Sequence, residues 1–275
     1  MTSEWLHHID RLISQRPFSK QILEAYRELV VLMTESEPPP PQVALDEKLR
    51  PIRRTQGFPL FQRSELPVDI EGSRRLLERF FEHLSNSSRS DREAMGTALL
   101  KARERPDGAE RLLRSFLSED VPGMAVFCGE TGLELKVVEF LAMNALKPSL
   151  IQCGRAYSKH PDLKLWDRGY CPLCGSQPAI SSIDKSGKRA LHCSLCGTQW
   201  GYPRLKCPFC AEEEHSKLGY FRDERLEYVR VDYCHGCERY VKVIDLRSVE
   251  EPAPMELENL STIYLDVLAV ERGFS

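Results

Sequence analysis

No apolar run among the 275 residues approaches the roughly 20 that a membrane-spanning helix needs, so no membrane partner is expected. Charge of one sign is missing too. The chain sets 38 Lys and Arg against 41 Asp and Glu, a formal charge of -3 that gives no overall pull toward nucleic acid or anionic lipid. The opening stretch Met1 to Asp10 has neither the basic start nor the unbroken apolar core of an export signal. An internal Arg-Arg pair within Ser73 to Leu77 runs into Glu78, Arg79 and Glu82, which reads as a charged helix face. The chain is therefore expected to be cytoplasmic, where cysteines stay reduced and available to metal. Composition excludes disorder, since 41% of the residues are hydrophobic and 29% charged, and the length admits two domains.

What is present falls into two halves. Residues 1–158 read as a helical domain. Ile22, Tyr26, Leu29, Val30 and Met33 recur at the spacing of one helix face, after Pro17 and before an extended connector at Pro38 to Pro41. Further helices are predicted from Ile70 to His83 and from Asp91 to Arg103, with Asn86 to Ser90 as the loop between them. Thr131-Gly-Leu-Glu134 has the form of a capping box ahead of an apolar run to Leu146, and Pro148 is expected to kink or restart that helix. After about residue 159 short β-like runs take over, at 179–183, 189–192, 199–202, 219–221, 227–233 and 239–246, with turns at Lys185 to Gly187 and Arg222 to Glu224. Residues 251–275 close the chain with a helix from Met255 to Arg272, stopped by Gly273.

Eight of the ten cysteines occur as four Cys-x-x-Cys pairs: Cys171 and Cys174, Cys193 and Cys196, Cys207 and Cys210, Cys234 and Cys237. This spacing lets two sulfurs from one tight turn grip a single soft metal ion. Eighteen residues separate the first pair from the second and 23 the third from the fourth, each enough for a β-hairpin, whereas only ten lie between the second and third. Sequential pairing gives two tandem rubredoxin-like or zinc-ribbon lobes, at 159–203 and 204–250. A cross-braced arrangement, first with third and second with fourth, stays open. Lobes of about forty residues bury too little apolar surface to fold unaided, while a four-thiolate metal supplies about 10 to 16 kcal/mol. Two metal ions, iron or zinc, are the expected cofactors. No ligand is left over to open a catalytic position, so hydrolytic metal chemistry is not expected.

Other features receive plainer readings. Cys128 and Cys153 are expected to be core thiols, and His192 and His235 to stand outside the metal ligands. Trp200, Tyr202 and Phe209 suit the cores of the lobes better than an interaction surface, and Glu212 to Glu214 a solvated loop. Residues 164–247 carry 14 basic against 11 acidic side chains, too mild an excess for a phosphate footprint, so a nucleic-acid-binding ribbon is the weaker alternative. Electron transfer through bound iron is another.

The tract Gly169-Tyr-Cys-Pro-Leu-Cys-Gly-Ser-Gln-Pro178, then 191–196 with Trp200, Lys206-Cys-Pro-Phe-Cys210, and Cys234-His-Gly-Cys237 with Tyr240 and Lys242, resembles the formate dehydrogenase accessory protein FdhE family. The tail is similar as well, in Leu265-Asp266 and Glu271-Arg-Gly-Phe274, as is a short Gly57-Phe-Pro-Leu60 in the helical half. Glu238 departs from the pattern, standing where a glycine is expected. The resemblance implies a non-catalytic cytoplasmic protein that binds the catalytic subunit of formate dehydrogenase during maturation. It also implies a rubredoxin-like fold with iron at the eight paired cysteines.

Overall fold

Apolar periodicity becomes helix through the first half of the chain, in a computed structural model that describes residues 3–41, 50–87, 92–104 and 106–275. The helices are α1 (Ser3–Gln15), α2 (Lys20–Thr34), α3 (Arg50–Thr55), α4 (Ile70–Ser85), α5 (Arg92–Glu104), α6 (Pro106–Leu117), α7 (Val121–Thr131), α8 (Leu135–Tyr157) and the short α9 (Pro161–Lys164). Strands β1 (Pro178–Ile183), β2 (Arg189–Cys193), β3 (Gln199–Gly201), β4 (Leu218–Arg222), β5 (Val229–Cys234) and β6 (Arg239–Asp245) follow, and α10 (Met255–Ser261) and α11 (Ile263–Glu271) end the chain. The helix start expected at Asp91 and most of the loop expected at Asn86 to Ser90 lie outside the described residues.

Two compact units divide the chain without following its order. One gathers the described residues within Tyr26–Val43 and Arg63–Ala156, the other those within Glu4–Ala25, Ala44–Gln62 and Tyr157–Ser275. In the first unit α4 packs on α5 and α6, and α7 on α5 and α6. Leu77, Phe80 and Phe81 of α4 are buried with Met95 of α5 and Leu112 and Leu113 of α6. Asp69 caps α4 by accepting from the Gly72 N–H at 2.9 Å, one of the four donors that a helix start leaves unpaired.

The capping box expected at Thr131 to Glu134 fails here for a local reason. Thr131 is the last residue of α7, and its hydroxyl donates to the Phe127 carbonyl, so it does not cap α8. Gly132 at φ 75° ends α7 instead, and the Glu134 carbonyl receives the first N–H groups of α8. The Thr-Gly pair is thus a helix stop read as a helix start. Of the two outcomes expected at Pro148, the restart does not occur: α8 runs from Leu135 to Tyr157 with Pro148 buried inside it.

In the second unit the strands form one six-stranded sheet in the order β3-β2-β1-β6-β5-β4. Each ribbon contributes three antiparallel strands. β1 and β6 then run parallel, with Ile180 opposite Lys242 and Ser182 opposite Ile244, joining the ribbons into one sheet. The two-residue period sends Val229 and Val231 to one face, where they pack with Ile180, Ile244, Leu265, Ala269 and Phe274. That face is covered by α10 and α11.

The single helix expected from Met255 to Arg272 is two. It breaks at Thr262, and buried Lys242 of β6 reaches into the break, donating to the Asn259 carbonyl at 2.7 Å and pairing with Asp266 at 2.6 Å. A carbonyl that would close the next helical turn is spent on the ammonium. Tyr240 donates to the same Asp266 at 2.8 Å. Gly273, at φ 88°, then turns the tail so that Phe274 stacks on Tyr233 with ring centroids 4.4 Å apart.

Candidate metal centres

Each Cys-x-x-Cys pair sits in a knuckle built the same way. The N–H of the residue after the second cysteine bonds back to the carbonyl of the first in three of them: Gly175 to Cys171 at 2.9 Å, Ala211 to Cys207 at 3.0 Å and Glu238 to Cys234 at 2.8 Å. This closure demands a left-handed backbone. Gly175, Gly197, Ala211 and Glu238 have φ of 76°, 68°, 62° and 56°, one in each knuckle. Only the first two are glycine, so Glu238 holds the turn that its side chain disfavours, and Ala211 does the same.

The knuckles meet in sequence order. Cys171, Cys174, Cys193 and Cys196 form one tetrad and Cys207, Cys210, Cys234 and Cys237 the other, the sulfurs of each lying within 4.8 Å of one another. In the first, Cys174 lies 3.5 Å from Cys193 and 3.6 Å from Cys196, and Cys171 lies 3.7 Å from Cys196. In the second, Cys207 to Cys237 and Cys210 to Cys234 are both 3.7 Å. Four sulfurs bonded tetrahedrally at about 2.3 Å from one ion would stand about 3.8 Å apart, so the donor sets fit a metal.

Electrostatics point the same way. Burial pushes the thiols of Cys171 and Cys193 up, while hydrogen bonds from Cys171, Cys193 and Cys196 push Cys174 down. In the second tetrad burial likewise raises Cys207 and Cys237, whereas at Cys210 burial is outweighed by the Glu212 backbone N–H and the neighbouring thiols, which lower it. Several adjacent thiolates cannot coexist in such a pocket without a cation to hold them.

The tetrads differ in cover. All four sulfurs of the first are buried; in the second Cys210 is exposed and Cys237 half-buried. The cover comes from the short Gly57-Phe-Pro-Leu60 stretch. Leu60 and Phe61 donate their N–H groups to the carbonyls of Pro172 and Leu173, at 2.8 and 2.9 Å, so the segment runs along the first knuckle. Tyr170 donates to the Gly57 carbonyl at 2.5 Å. Arg50 and Arg54 anchor the preceding helix α3 through Asp162, with Arg54 at 2.9 Å. Residue spacing gave no sign of this cover, because its partners lie more than a hundred residues away and it offers them only backbone groups.

The remaining site expectations resolve individually. Trp200 and Tyr202 are buried in the ribbons, donating to the carbonyls of Arg168 at 3.0 Å and Cys207 at 3.1 Å. Phe209 is half-buried, with the Arg239 guanidinium 3.7 Å above its ring. His192 lies 2.8 Å from the Ser182 hydroxyl, and burial lowers its pKa to about 4, so it is neutral. His235 is exposed beside Tyr233 and Phe274. Cys153 is buried and its thiol points at the Pro67 carbonyl at 3.2 Å, while Cys128 is only half-buried.

Comparisons with known proteins converge on one family. The family model described as FdhE, central domain, matches residues 170–204, the stretch that carries the first tetrad. An FdhE homologue of Aquifex aeolicus is 34% identical over 176 residues, 62% of this chain and 61% of the relative. One from Haemophilus influenzae is 36% identical over 110 residues, 38% of this chain and 35% of the relative. These matches span less than two thirds of the relatives' own lengths. The crystal structure of the FdhE protein from Pseudomonas aeruginosa superposes with a TM-score of 0.69 at 22% identity, covering 97% of this chain and 91% of that one. It shows the same mixed fold of helices and sheet.

Proposed function

We propose that this chain, similar to the FdhE homologues, is a cytoplasmic accessory protein for formate dehydrogenase, one that binds the enzyme's catalytic subunit during maturation and performs no catalysis itself. The observation that carries the reading is the pair of cysteine tetrads in one sheet. Each tetrad offers four sulfurs, a closed coordination set that leaves no open position on a four-coordinate ion. Metal bound there would staple the lobes at 159–203 and 204–250 and fix the loops between the knuckles. The metal ligands in this reading are Cys171, Cys174, Cys193, Cys196, Cys207, Cys210, Cys234 and Cys237, and the ion is iron or zinc. No helix among the described residues is long and apolar enough to cross a membrane.

The test is capture of the catalytic subunit from anaerobic extract by the metal-loaded chain. A complex with the incompletely matured subunit is expected; absence of any complex, with immature or mature forms, sinks the reading. Metal content is checked separately. Cys171→Ser should lose the ion of the first tetrad and keep that of the second, and an unchanged metal content would refute the ligand set.

A second reading rests on Cys210, the exposed cysteine of the second tetrad. An iron ion held beside it could exchange one electron with a partner. Reversible bleaching of a visible iron spectrum would support this, and a colourless zinc-loaded protein prepared without air would remove it.

A further inference from the structure

A cavity of about 450 Å³ opens beside the second tetrad, on the sheet face that α10 and α11 leave bare. Its floor is the alternate set of β4, β5 and β6 side chains, including Tyr220, Arg230, Asp232 and Arg239, and its roof is the 204–209 loop. The walls carry the cations Arg189, Arg204, Lys206, Arg230 and Arg239 and a single carboxylate, Asp232. Arg230 is paired with Asp232 at 2.7 Å and Lys206 with Glu213 at 2.8 Å. Arg189, Arg204 and Arg239 are left in excess.

Arg189 is the most informative of these. It is only 5% exposed, and it is held in place by Ser181 at 3.0 Å and the Lys206 carbonyl at 3.2 Å. Its Nη2 has no hydrogen-bond acceptor, and the nearest carboxylate oxygen, of Asp232, is 4.0 Å away. A buried guanidinium N–H left unmade is costly, so its natural complement is an acceptor from outside. Two further guanidinium groups stand over rings, Arg239 over Phe209 at 3.7 Å and Arg230 over Tyr220 at 5.2 Å, so that cations and aromatic surface against which a flat group can stack occur together.

We propose that this cavity is a binding site for a small organic oxyanion, a phosphate ester or carboxylate carried on a flat apolar body. The oxyanion meets Arg189 and Arg239, and the body lies along Phe209 and Tyr220. The volume is that of a small-molecule site.

The test is calorimetric titration of the full, metal-loaded chain with phenyl phosphate and with benzoate, against inorganic phosphate and phenol. At least one of the two aromatic anions should bind about tenfold more tightly than inorganic phosphate and phenol, and which one does separates a phosphate from a carboxylate ligand. Arg239→Gln, on a half-buried side chain, should weaken that binding about tenfold with metal content unchanged, and Arg189→Met should abolish it. No saturable binding of either aromatic anion at millimolar concentration overturns the proposal. So does inorganic phosphate binding equally well, or an affinity unmoved by Arg239→Gln. No formate dehydrogenase subunit enters the titration, so its failure leaves the accessory reading untouched.

Discussion

At the scale of single residues, the four knuckles ask for one backbone conformation and receive it from three different residue types. Gly197 has no atom within 4 Å of where a Cβ would stand, so Gly197→Ala isolates the cost of a left-handed backbone, about 1 kcal/mol of lost stability in a denaturant titration of metal-loaded protein. Ala211→Gly and Glu238→Gly should each move the midpoint the other way, by about 0.5 to 1 kcal/mol, less what glycine adds to the unfolded chain's freedom. Protonation acts on the same residues. Burial raises Cys171, Cys193, Cys207 and Cys237, so these thiols keep their protons at neutral pH in metal-free protein and must lose them to bind. Metal loading should therefore release protons, and affinity should fall as pH falls; competition with a coloured chelator at two pH values below neutrality reads the slope.

At the scale of elements, the ribbons are held to each other by close backbone approach as well as by the sheet. A Cβ on Gly169 would stand 1.7 Å from the Pro208 carbonyl oxygen, which only a backbone shift could relieve. Gly169→Ala is expected to cost more than about 2 kcal/mol and to loosen the second tetrad, seen as faster metal loss to a chelator. The C-terminal helices are tied in by buried charge. Arg16, just past α1, pairs with Glu258 of α10 at 2.6 Å and also donates to Ser261 and Tyr228. Burial alone would lower the arginine's pKa, but the Glu258 carboxylate reverses that and raises it. Glu258→Ala leaves the guanidinium buried without its counter-charge and should cost about 3 kcal/mol or more, measured as a lowered unfolding midpoint.

At the scale of the whole molecule, two units rest on different sources of stability. The helical unit has its own apolar core around Leu77, Phe80, Leu112 and Leu113 and contains none of the eight paired cysteines. Removing metal with a strong chelator should therefore abolish the near-ultraviolet signal of Trp200 and the ribbon tyrosines while most of the helical far-ultraviolet signal persists; loss of both together would refute separate stabilisation. Local matters were legible along the chain: the strands at 179–183 and 239–246, the helix on Ile70, the turn at Gly187 and the four knuckles. Each follows from a short-range period or a turn residue, which the nearest neighbours settle. Tertiary structure alone decided the parallel joint of β1 with β6, the break at Thr262 under Lys242, and the cover that Gly57 to Phe61 lays over the first tetrad. The same holds for the cavity around Arg189, whose walls come from separate strands and a loop. These features depend on which distant backbone or charged group arrives at a given place, and no spacing along the chain carries that information.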